Sequence, residues 1–125
     1  MKLDKELVRE ILLAVEASNQ PIIVSPLFLR GHSTEEVGYH VMLLNEAGLL
    51  QGRNSGGSLR FEWVPERLTY KGHEFLDTVR DPEVWRRTKE GAERAGSAGL
   101  GVLLELGKAY GKQLLKERLG IELPG

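Results

Sequence analysis

A helical stripe that stops at Gly48 and is followed at once by a glycine-punctuated hairpin pattern constrains this chain more than any other feature. Val37, Val41, Leu44 and Ala47 recur at helical spacing, which gives one apolar face to a helix beginning near residue 34. Ser33 or Thr34 is placed to cap its start, and Glu35 and Glu36 fall in the first turn, where the positive end of the helix dipole favours carboxylates. Gly48 supplies the left-handed position that commonly ends a helix, and Leu49-Leu50 brings the chain back onto the core. The polar run of residues 53–58, containing Gly56 and Gly57, then separates those leucines from Leu59-Arg60-Phe61-Glu62-Trp63-Val64. The alternation in that segment predicts a half-buried strand, and with it a β-hairpin whose tip is flexible.

Upstream, Asp4 can cap a helix whose Leu7, Val8, Ile11, Leu12 and Val15 form one buried face, running to about Ala17. Ser18-Asn19-Gln20-Pro21 breaks it, and the β-branched run Ile22-Ile23-Val24 suits a short strand that Pro26 confines to an edge. Helix, strand, helix and hairpin in that order predict an α+β fold with a winged-helix-like core, the glycine-rich tip being the wing. Thr69 caps a third helix holding Phe75, Leu76 and Val79, and Asp81-Pro82 opens a fourth that Trp85 anchors. Gly91, Gly96, Gly99 and Gly101 predict a loose link before an amphipathic last helix, roughly Val102 to Leu119. The chain of 125 residues suits one domain, with a core over about 1–95 and the link and C-terminal helix over about 96–125.

Composition narrows the chemistry. The absence of cysteine excludes disulfides, zinc ribbons and thiol nucleophiles, and fits a reducing compartment. The N-terminus is charged where a signal peptide would be apolar, and no apolar run approaches the ~20 residues that span a bilayer, so a cytoplasmic protein without membrane association is expected. Seventeen basic residues against eighteen acidic ones give a net charge of −1, without the broad positive field of a typical nucleic-acid binder. Residues 1–50 hold four basic and seven acidic side chains, residues 51–125 thirteen and eleven, so any attraction to phosphate lies in the second part.

Two stretches resemble a bacterial family known as domain of unknown function 2513. The first runs from Tyr39-His40-Val41 to Ala47-Gly48-Leu49, and the second from Leu68-Thr69-Tyr70 to Val79-Arg80-Asp81 and on through Trp85 and Thr88-Lys89. The opening Lys2-Leu3-Asp4 and its helix are also similar. The resemblance covers most of residues 1–89 and implies a winged-helix-like fold and a bacterial or phage origin. It implies no activity, and no functional residue is carried over from it.

Catalysis has no visible constellation: there is no Gly-x-Ser-x-Gly elbow and no His-Glu-x-x-His, so neither an enzyme nor a cofactor is expected. His73 and Asp77 stand four residues apart and could share a helical face, with His32 or His40 completing a metal site, but two ligands do not make one. The primary expectation is a non-enzymatic interaction module that binds a protein partner or a second copy. Its contact would be the last helix, through Leu103, Leu104, Gly107, Tyr110, Gly111, Leu114 and Leu115, where the two glycines let another helix approach closely. The alternative is a DNA-binding regulator that rests its wing on phosphates through Arg53, Asn54, Arg60, Arg67 and Lys71, with His40 and Asn45 as the only plausible hydrogen-bond donors on the second helix. That helix carries three glutamates and no lysine or arginine, which opposes approach to a phosphate-lined groove.

Overall fold

A computed structural model describes residues 1–96 and 99–120, and shows an α+β protein of five helices and a two-stranded antiparallel sheet among the described residues. The chain divides into two compact units, residues 1–73 and 74–125. In the first unit, α1 (Lys5–Glu16) begins where the Asp4 carboxylate accepts the backbone N–H groups of Glu6 and Leu7. Its Leu7, Val8, Ile11, Leu12 and Val15 are all buried, as the spacing predicts. Helix α2 (Thr34–Glu46) is capped by Ser33, whose hydroxyl accepts the Glu36 N–H, and it buries Val37, Val41 and Leu44. Gly48 takes a φ of +78°, and the chain enters β1 (Leu50–Asn54) with Leu49 and Leu50 fully covered. Full burial of each such leucine favours folding by about 2 kcal/mol.

Strand β1 pairs with β2 (Trp63–Leu68), and the register slips between Gln51 and Gly52, opposite Pro65. Proline has no N–H to give a ladder, so a bulge there lets the pairing continue on either side. The expected strand at 22–24 is absent: residues 22–24 contribute one backbone bond, from the Ile23 N–H to the Glu66 carbonyl. Pro21 and Pro26 bracket the segment and cannot donate, which stops a ladder from growing. The second strand also begins later than the alternation predicts, at Trp63 instead of Leu59. The Asn54 side-chain oxygen accepts the N–H groups of both Gly56 and Glu62, closing a wide tip that holds Leu59, Arg60 and Phe61 outside the ladder.

Thr69 caps α3 (Tyr70–Val79) by accepting the Gly72 N–H. Gly72 is required because a β-carbon there would overlap the Leu49 carbonyl oxygen. In the second unit, Asp81 caps α4 (Pro82–Arg94), with Pro82 in the first turn, and α5 spans Leu100–Leu119. Gly91, expected in a loose link, lies inside α4: a β-carbon there would come within 2.7 Å of the Tyr110 hydroxyl, so this glycine serves the close approach of α4 and α5. Residues 97 and 98 of the expected link lie outside the described residues.

Candidate functional site

The loop after α1 and the hairpin tip carry an unusual amount of bare apolar surface. Ile22, Val24, Phe28, Leu59 and Phe61 are all exposed, Phe28 at 73% and Leu59 at 92%. Phe28 and Phe61 border one cleft of about 260 Å³, together with Pro26, Leu27, Gly38 and Trp63. Its origin is local. Pairing of β1 with β2 ends at Asn54 and Trp63, so the apolar residues just beyond have no strand partner, and the prolines keep 22–28 from folding into a covering layer. Gly38 of α2 lets Phe61 lie close, since a β-carbon would sit 3.3 Å from the ring.

The cations of the hairpin and of the start of α3 are engaged. Arg53 lies 3.3 Å from the Glu66 carboxylate, and Arg60 lies 3.2 Å from that of Glu62. Arg67 donates to the Leu68 carbonyl and Lys71 to that of Ala47, which leaves Asn54 as the organiser of the tip. On α2, Asn45 accepts the Gly52 N–H through its side-chain oxygen. His40 is fully buried: its Nε2 accepts the Asp4 N–H at 2.8 Å, and its Nδ1 donates to the Glu36 carbonyl at 2.9 Å. His40 is thus spent on joining elements of the same unit, and Asn45 ties α2 to β1 through its oxygen.

Among the described residues, Asp4, His32 and Glu36 form the group whose ligand atoms come within 4.8 Å of one another, whereas His73 and Asp77 do not assemble with other ligands. His32 Nδ1 is 2.7 Å from Glu36, and Nε2 is 3.5 Å from Glu10. The hydrogen bond to Glu36, reinforced by the charges of Glu36, Glu10 and Asp4, raises the His32 pKa. Asp4 is already engaged as a cap, and the cluster sits at the first turns of α1 and α2, whose positive dipole ends repel a cation. Through its contacts with Glu36 of α2 and Glu10 of α1, His32 acts as a clamp between the two helices.

In the second unit, α5 spends much of its apolar face inside its own chain. Leu103, Gly107 and Leu114 are buried, Leu104, Tyr110 and Gly111 are partly covered, and Leu115 remains 39% exposed. The close approach anticipated at Gly107 is made by α3, with Val79, Thr78 and Phe75 around the position a β-carbon would occupy. Arg87 bridges α4 to Glu117 at 3.1 Å, and Asp81 accepts from Arg118 at 2.7 Å. Arg118 lowers the Asp81 pKa, while Arg86 and Arg87 together hold Glu83 down at about 2. Beside these pairs runs a groove of about 400 Å³, with Val84, Gly111, Leu114 and Leu115 among its lining residues.

Comparison with known proteins gives the chain a family and adds no activity. The chain belongs to the family described as "Hypothetical protein (DUF2513)", whose family model matches residues 2–98. An uncharacterized protein of Haemophilus influenzae is 33% identical over 90 residues, covering 71% of this chain and 76% of that protein. No solved structure matches the chain. No described helix is long and apolar enough to cross a membrane.

Proposed function

We propose that this protein is a non-enzymatic, winged-helix-like interaction module that binds protein through the loop of residues 22–28 and the hairpin tip. The observation that carries the reading is the exposed set Ile22, Val24, Phe28, Leu59 and Phe61, two of whose rings border a single cleft. Apolar surface gathered in one place, as at Phe28 and Phe61, costs free energy in water and marks sites of association, whereas singly scattered residues need no explanation. The contact is therefore assigned to the wing and its neighbouring loop in preference to the buried stripe of the last helix. A DNA-binding role receives less support, because Arg53 and Arg60 face glutamates and α2 presents Glu35 and Glu46 to solvent. Phosphate contact would have to break those pairs and overcome that repulsion.

The test is photo-crosslinking with benzoylphenylalanine placed at Phe61 or, as a control, at the exposed Gln113. A discrete product from position 61, whether a homodimer or a complex with another protein, is expected to be lost when Phe28→Ser is added. Equal, diffuse labelling from both positions would remove the support for this reading.

A further inference from the structure

The groove in the second unit differs from the wing surface in both location and charge. Its lining includes the buried Val84 and Leu114, the half-exposed Leu115, and Gly111, which contributes no side chain. Five charged residues also line it: Asp77, Asp81, Lys108, Lys112 and Arg118. The two carboxylates are already answered, Asp81 by Arg118 at 2.7 Å and Asp77 by Arg80 at 3.2 Å. Lys108 and Lys112, one turn apart on α5, form no ion pair or hydrogen bond among the described residues. An apolar trough is thus bordered by two positive charges without counter-charges.

We propose that this groove docks a short acidic amphipathic peptide segment of a partner protein, its apolar side chains seated on Val84, Leu114 and Leu115 and its carboxylates facing Lys108 and Lys112. Charge complementarity selects this occupant. A basic segment would meet Lys108 and Lys112, and a purely apolar one would strip their hydration without replacing it. The volume of about 400 Å³ lies in the range of side-chain and ligand pockets and suits a few anchoring residues better than a whole domain face. This surface is independent of the proposed wing contact, because every residue invoked belongs to residues 74–125.

The probe is a fluorescein-labelled peptide alternating leucine pairs with glutamate pairs, followed by fluorescence anisotropy with the full-length protein at low salt. Saturable binding is expected, with affinity about tenfold weaker for the double variant Lys108→Glu/Lys112→Glu, and weaker again as salt rises. Leu115→Asp, at a position 39% exposed, should also abolish most of the binding while the far-ultraviolet circular dichroism stays that of the parent. Phe28→Ser should leave it unchanged, which separates this groove from the wing. Three outcomes would each overturn the proposal: no binding of the acidic peptide, equal binding of its lysine-for-glutamate counterpart, or unchanged affinity in the lysine double variant.

Discussion

His40 shows how a residue type with many uses is committed to one by its surroundings. Its ring joins the start of α1 to α2 through the Asp4 N–H and the Glu36 carbonyl, and it has no exposed surface. His40→Leu keeps an apolar body in the core but leaves the Asp4 N–H without its acceptor. Loss of about 2 kcal/mol of unfolding free energy is expected, read by urea denaturation. An unchanged midpoint would show that the bond at Asp4 contributes nothing net. Thr69 and Gly72 act in the same way on a shorter scale, the one capping α3 while the other clears space for the Leu49 carbonyl.

At the scale of elements, titratable pairs join α1 to α2 in the first unit and brace α4 along its own length in the second, and their pH dependences run in opposite directions. His32 has a folded-state pKa raised above its ordinary 6.5 by Glu36, Glu10 and Asp4. Its stabilisation is therefore complete below the unfolded pKa and is lost as the pH rises through the folded one. Glu83, held at about 2 against an ordinary 4.5, stabilises fully above the unfolded value and loses its contribution as the pH falls towards about 2. Thermal unfolding followed against pH should show His32→Gln removing part of the decline on the alkaline side, and Glu83→Gln removing part of the decline in acid. A His32→Gln curve parallel to the parent across neutral pH would mean that the clamp between α1 and α2 carries no linkage. At this scale the capping residues also account for the helix starts, since Asp4, Ser33 and Asp81 each accept the N–H groups left open by the first turn.

For the whole molecule, the arrangement of charge opposes contact with nucleic acid. The overall charge is −1, and the hairpin arginines stand beside glutamates. Fluorescence anisotropy with a mixed-sequence duplex is expected to show no saturable binding even at low salt. Binding with a steep salt slope, weakened by Arg53→Ala/Arg60→Ala, would instead promote the regulator reading. The two proposed contact surfaces belong to different units, so a partner that uses the apolar wing and one that uses the lysine-bordered groove can be separated by single substitutions.

Sequence alone determined the helix starts, the end of α2 at Gly48, the hairpin and the buried face of α1, because capping groups, glycine φ and apolar period act over a few neighbouring residues. The resemblance in the stretches around residues 39–49 and 68–81 also identified the family that matches residues 2–98. Only tertiary structure decided that 22–24 would make one bond instead of a strand, since a ladder depends on a partner edge interrupted here by proline and a bulge. It decided as well that Leu59 and Phe61 would stand outside the sheet, that Gly91 would serve helix packing, and that His40 would join the Asp4 N–H to the Glu36 carbonyl. The same holds for the grooves and the clamp at His32. Each depends on residues far apart in the chain, and no local pattern records which of them will meet.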